Sequence, residues 1–278
     1  MFSWPTNYDC CYTLGGVISR EGIGLHSGEK TRVKISSYEK EGYHVSFRDK
    51  PNEIFKLTQD LIGSTMLCTA VKIGGRNLYT IEHLLSSMAG CGLSYIHIEV
   101  DGKEIPLLDG SAIQWVRDFE EVGIKKAPKP DNFFREINKS ILLNKEGSVI
   151  AATPSEKITI ISTISFSYKA IGNQTFVVDL NPKSFVEMIA PARTFGFKDQ
   201  FQELSELGLI KGGSLENALV CDGDEWVNPP LRFDNEPIRH KILDLIGDLA
   251  LVGLPKAQIL VYKGSHSLNA LLASSLKN

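Results

Sequence analysis

His240, Asp244 and Asp248 recur at every fourth position of a segment that carries helix signals at both ends. Asp234 or Asn235 can cap its start, Pro237 suits a first turn because it has no N–H to lose, and Gly253 and Pro255 can close it. At about 3.6 residues per turn the three polar side chains fall on one stripe, and Ile242, Leu243, Leu245, Ile246 and Leu249 form an apolar flank. An imidazole and two carboxylates along the edge of a core helix can serve a divalent cation. His240 with Asp244 alone is also an ordinary surface pair, worth roughly 0.2–0.5 kcal/mol. Two features favour the cation. The opposite flank is strongly apolar, and the first half of the chain carries Glu82-His83 at an equivalent place, with Thr80 as the candidate cap.

His83, His240 and Asp244 together offer two nitrogens and one oxygen. That set suits zinc with a fourth position left for water, and it suits iron(II) as well, because imidazole and carboxylate bind both. Glu82 points about 100° round the helix from His83. It is either a base toward a water at the metal or a first-turn acid favoured by the helix dipole. His266 follows a strand in Lys263-Gly-Ser-His266 and is either a general acid or a surface residue. Asp248 is placed to hydrogen-bond it and raise its pKa. Thr194, with Phe195 and Phe197 beside it, offers a hydroxyl to an oxyanion or caps a helix. Lys241 is expected to point away from Asp244, toward a substrate phosphate or solvent. His26 reads as a loop residue in a tight turn at 22–28, and His97 as a structural histidine within a strand.

These residues need elements to hold them. Alternation predicts strands over 31–35, 44–47 and 95–100, a hairpin over 65–79, and helices from 81 to about 90 and over 112–122. A basic, proline-punctuated stretch at 125–132 reads as a linker. Beyond it, strands are expected at 139–143, 148–152, 157–165, 174–180, 219–221 and 258–262, with helices at 185–189, 197–210 and 267–275 besides the one that carries His240. His83 is followed by Gly90 and His240 by Gly247 at the same distance, and each helix leads to an apolar strand, a Gly-Ser pair and another helix. The repetition suggests two similar α+β domains, 1–126 and 133–278 with a linker at 127–132, and a site between them fed by one histidine-bearing helix from each.

The 278 residues are 42% hydrophobic and 23% charged, a globular composition. A net charge of −3 gives no basic field for nucleic acid or a membrane surface, so an anionic substrate must be met by local Lys and Arg. No apolar run reaches the roughly 18 residues that span a bilayer. The N-terminus lacks the basic and apolar regions of a secretory signal, and five irregularly spaced cysteines point to reduced thiols in the cytoplasm.

Seven stretches in one order carry a family resemblance: Gly24-Leu-His-Ser-Gly28, Thr80-Ile-Glu-His83, Ile105-Pro-Leu-Leu-Asp-Gly-Ser111, Ala192-Arg-Thr-Phe-Gly-Phe197, Gly212-Gly-Ser214, Asn235-Glu-Pro-Ile-Arg-His-Lys-Ile-Leu-Asp-Leu-Ile-Gly-Asp248 and Lys263-Gly-Ser-His-Ser-Leu-Asn269. Over nearly its full length the chain resembles the UDP-3-O-acyl-N-acetylglucosamine deacetylases, zinc amidases of lipid A biosynthesis. The resemblance implies two two-layer α+β sandwiches with the site between them and a small insert in each, around 62–79 and 195–220. It implies zinc on His83, His240 and Asp244, Glu82 as base, and His266 as acid oriented by Asp248. Thr194 would assist the oxyanion and Lys241 would bind the substrate's polar head. Met66, Phe195 and Phe197 would meet the substrate, with Phe197, Leu204 and Leu207 along an acyl passage. The implied partner is a UDP-linked acylated amino sugar, with no nucleic acid, no stable membrane insertion and a monomeric chain. Gly264-Ser265 precedes His266 where the family more often has Ser-Gly, and Ser94-Tyr95 stands where an Asp-Asn pair is usual. A sugar-nucleotide binding protein without catalysis, or an amidase acting on another acetamide, are the competing expectations.

Overall fold

The computed structural model describes residues 2–63, 67–129 and 134–276. The alternating segments of the first half form a five-stranded sheet: β1 Ile18–Ile23, β2 Lys30–Ser37, β3 Tyr43–Phe47, β4 Lys50–Lys56 and β5 Ile96–Asp101, in the spatial order β1-β2-β5-β3-β4. The second half forms another, from β6 Ile141–Lys145, β7 Ser148–Pro154, β8 Thr159–Ser165, β9 Asn173–Asp179 and β10 Ala257–Tyr262, in the order β6-β7-β10-β8-β9. The two orders are the same. In each sheet the last strand enters at the centre, antiparallel to the second and parallel to the third. The His-to-Gly spacing therefore accompanies a repeat of topology.

Helix α1 (Glu82–Gly90) precedes β5 and α2 (Ile113–Val122) follows it. After the short α3 (Phe201–Glu206), helix α4 (Glu236–Leu249) precedes β10 and α5 (His266–Leu276) follows it. Inward residues of the first sheet (Val33, Ile35, Ile98, Val100) and of the second (Ile150, Ile160, Ile259, Val261) join the helices in one hydrophobic core. The fold is mixed α+β, with sheets packed against helices. All nine residues of α1 are buried, because α4 covers the side that the sheet does not. Among the described residues no helix is long and apolar enough to cross a membrane.

Several local expectations fail where long-range pairing wins. The helix expected at 197–210 is a strand, Phe195–Phe197, then a 3₁₀ turn and the six residues of α3. Phe195 pairs with Leu219 in a parallel ladder that no helical period reveals, and Gly208 at φ +75° ends the helical stretch. Of the hairpin expected at 65–79, residues 65 and 66 lie outside the described residues, and from residue 67 onward the paired strands are Val71–Ile73 and Arg76–Leu78. Thr80 does not cap α1: its φ is +57° and its hydroxyl donates to Glu104 Oε1 at 2.8 Å. Glu104 also accepts from the N–H groups of His26 and Ser27, tying the glycine turn, with its half-buried His26, to the start of α1. Lys125, Lys126 and Ala127, expected within a linker, pair as a strand with Cys11–Leu14. Asn235 takes the cap position of α4, but its Oδ1 accepts from Arg239 Nε, and the helix ends at Leu249, short of Gly253.

Candidate metal centre and active site

His83 lies in the first turn of α1; His240 and Asp244 are successive inward residues of α4. Each offers a ligand atom, and these atoms lie within 4.8 Å of one another, the one such cluster found among the described residues. His240 Nε2 is 3.4 Å and His83 Nε2 3.7 Å from Asp244 Oδ1. The two rings stand edge to face, 4.9 Å apart. His240 Nδ1 lies 3.1 Å from the Ala192 carbonyl, which fixes the proton there and leaves Nε2 as a lone pair. Burial, and then the other's charge, pushes His83 down to about 3. Burial likewise lowers His240. Asp244 is lowered too, but against its burial: burial alone would raise it, and Lys241 and then His240 hold it well below the usual carboxylate range. Two neutral imidazoles and one carboxylate converging on one point are in the protonation state that binds a divalent cation. The donor set fits zinc or iron(II).

The helices bring these ligands together because α4 presents no side chain where it crosses α1. A Cβ on Gly247 would sit 2.1 Å from the Glu82 carbonyl oxygen. Nearby, Ser86 Oγ donates to the Leu243 carbonyl at 2.8 Å. Gly247→Ala would gain about 1 kcal/mol of helix propensity, but backbone cannot yield to a methyl at that distance. The helices separate instead, and the expected net loss is about 1–3 kcal/mol with weaker binding of a divalent cation. Thermal melts and divalent-cation titration of the variant check this; a wild-type melting point and affinity would refute it.

Glu82 is buried, and its Oε2 accepts the Thr69 N–H at 3.1 Å. Burial pushes its carboxyl up to about 8, with Asp248 and Asp244 adding to the effect and His266 opposing it. His266 heads α5 rather than sitting in a loop, with Nδ1 2.8 Å from Asp248 Oδ2. Its Nε2 lies 4.0 Å from both Glu82 Oε1 and Asp244 Oδ2. Burial pulls this imidazole down, but Asp248, then Asp244, outweigh it and raise it to about 9. Asp248 also accepts from Asn269 Nδ2 at 2.8 Å and Thr69 Oγ at 2.5 Å. Asn269 lies three residues after His266, so the helical period could have shown it. Thr69 had no such signal.

A cleft of about 310 Å³ takes in the three ligand candidates with Glu82, His266, Thr194, Phe195 and Lys241. Thr194 is not a helix cap: its N–H donates to Gly110 and its carbonyl accepts from Leu219, which turns the side chain to the cleft. The strand position that follows holds Phe195, whose ring is 6.4 Å from that of His240. Phe197 instead stacks on Tyr168 at 4.3 Å and is not among the residues that line the cleft. Leu207 is 65% exposed, and neither it nor Leu204 lines the cleft. Met66 lies outside the described residues. Lys241 corrects the expectation that it turns away from Asp244: Nζ donates to Asp244 Oδ2 at 2.7 Å. Positions three apart on a helix are neighbours, and the long side chain curls back onto the carboxylate. Sequence reasoning also missed Glu236, fully buried, which accepts from Arg193 Nε at 2.9 Å and from the N–H groups of Arg193 and Arg232. It anchors the segment that supplies the Ala192 carbonyl and Thr194 to the start of α4.

Comparisons with known proteins point to one family. The family model described as UDP-3-O-acyl N-acetylglycosamine deacetylase matches residues 12–278. The UDP-3-O-acyl-N-acetylglucosamine deacetylase of Trichormus variabilis is 43% identical over 272 residues, covering 95% of this chain and 97% of that protein. The protein of the same name from Synechocystis is 39% identical over 269 residues, covering 95% and 98%. Identity of that extent, over a chain whose histidines and carboxylates converge in one cleft, has one consequence: the chain belongs to the UDP-3-O-acyl-N-acetylglucosamine deacetylase family.

Proposed function

We propose that this chain hydrolyses the acetamide of a UDP-linked, 3-O-acylated N-acetylglucosamine, releasing acetate and the free amine, the committed step of lipid A biosynthesis. The names of its relatives support the substrate class. The observation that carries the chemistry is that Glu82 Oε1 and His266 Nε2 face each other across 4.0 Å beside the His83, His240 and Asp244 cluster. That gap is too long for a hydrogen bond and suited to a reacting group between them.

His83, His240 and Asp244 would hold the ion, zinc in our reading, with iron(II) compatible with the same donors. When bound there, the ion supplies positive charge that polarises the acetyl carbonyl and acidifies water. Glu82 accepts the proton of the attacking water as its oxygen bonds to the acetyl carbon. Thr194 donates its hydroxyl to the oxyanion that forms. His266, held through Nδ1 by Asp248, gives a proton to the nitrogen as the C–N bond breaks. Lys241 braces Asp244 and offers its other N–H donors to the substrate's polar head, while Phe195 and Met66 serve its apolar part. The five unpaired cysteines, four of them buried, support a cytoplasmic, reducing setting. We place the chain there as a monomer.

Acetate release measured on acylated and unacylated UDP-amino sugars tests the reading. Turnover of the acylated compound alone is expected, and turnover of an unrelated acetamide instead would sink it. The pH dependence follows from the two proton positions. Glu82 must be ionised, so activity falls as pH drops through its pKa; His266 must be protonated, so activity falls as pH rises through its own. Asp248 is the largest influence that raises His266. Asp248→Asn should therefore move the alkaline limb of kcat about 1–2 pH units toward acid. A limb that stays in place would show that His266 is not the group titrating.

A further inference from the structure

Thr69 belongs to none of the motifs that mark the family resemblance, yet it is 2% exposed and uses every polar atom it has. Its N–H donates to Glu82 Oε2 at 3.1 Å, and its carbonyl accepts from the Ile81 N–H at 3.4 Å. Its hydroxyl donates to Asp248 Oδ1 at 2.5 Å and lies 3.4 Å from His266 Nδ1. Glu82 opens α1, Asp248 lies in the last turn of α4 and His266 opens α5, so one residue in an irregular loop touches three helices through its N–H and its hydroxyl.

Two buried carboxylates near one another repel, and their separation is set by the donors between them. Thr69 gives one donor to each, the backbone to Glu82 and the hydroxyl to Asp248. Hydroxyl-to-carboxylate bonds are short and charge-assisted, with little positional freedom. From this geometry we propose that Thr69 is a positioning residue for the hydrolysis: it holds Glu82 and the Asp248–His266 pair at one fixed spacing, so that both face the same reacting group. The proposal rests on the acid and base roles given above.

Thr69→Val removes the hydroxyl while keeping shape and backbone donors. Its kcat should fall about 10–100-fold, as for other groups that act by orienting a first contact. KM and metal content should stay at wild-type values, and the melting point should fall only by the few degrees that the loss of one buried hydrogen bond to Asp248 accounts for. Thr69→Ser should recover most of the loss, and Thr69→Ala, which cannot overpack the site, should reproduce it. In an Asp248→Asn background Thr69→Val should cost little more, because the two changes break the same linkage. A wild-type kcat in the Val and Ala variants overturns the proposal. So does a loss confined to KM, equal impairment in Ser and Val, or full additivity with Asp248→Asn. If Glu82→Gln and Asp248→Asn are themselves fully active, the acid–base reading has failed. If they are impaired and Thr69→Val is not, only the positioning role has.

Discussion

Glu82→Gln lowers kcat by about 10²–10⁴-fold, the usual contribution of a positioned base, and leaves the bound metal in place. Glutamine matches glutamate in size and can still accept the Thr69 N–H, so the first turn of α1 has no reason to move. It cannot take a proton from water. Glu82 is also outside the His83, His240 and Asp244 cluster, so its loss should not release the ion. Metal analysis beside steady-state kinetics separates the two effects. A variant with more than a tenth of wild-type kcat would remove Glu82 from the base role, and a variant that loses its metal would make it a ligand.

Removing a ligand has a different signature. His240→Ala should leave a chain that folds but holds little metal and shows no measurable turnover, and a strong chelator should do the same to the wild-type protein reversibly on zinc addition. Asp244→Ala should be worse for the fold. Lys241 keeps its ammonium on Asp244 Oδ2, with the lysine side chain 16% and the aspartate 5% exposed. Truncating the carboxylate strands that cation beside two imidazoles, and breaking a buried pair costs about 3–5 kcal/mol. Asp244→Asn keeps the shape and should separate loss of metal from loss of stability. Metal content, melting temperature and acetate release on the three variants form the test. An active, metal-loaded His240→Ala protein would end the assignment.

Helix α4 shows how far local reading can go. Its start near Pro237, its apolar flank and the shared stripe of His240, Asp244 and Asp248 follow from a 3.6-residue period and from proline's fit to a first turn, whereas its end at Leu249 comes before the Gly253 stop. The same period supports the pairing of His83 with Glu82 on α1. Strands that alternate inward apolar and outward polar residues, as in β2 and β10, were legible for the same reason. The segment at 195–200 was not. A phenylalanine-rich stretch before a helical pattern looks helical until Leu219 supplies a ladder partner two dozen residues away.

By itself, then, the sequence determined the residue types of the site, the helices that carry them, the repeat and the family. Only the tertiary structure decided which atoms meet. Lys241 turns onto Asp244, Glu236 anchors Arg193, Gly247 lets α4 reach the backbone of Glu82, and Thr69, bonded to Glu82, meets Asp248 from 179 positions away in sequence. Periodicity encodes which face of an element a residue occupies. It holds no record of which other face will be packed against it, and the spacing of Glu82, His266 and the ligands depends on that packing.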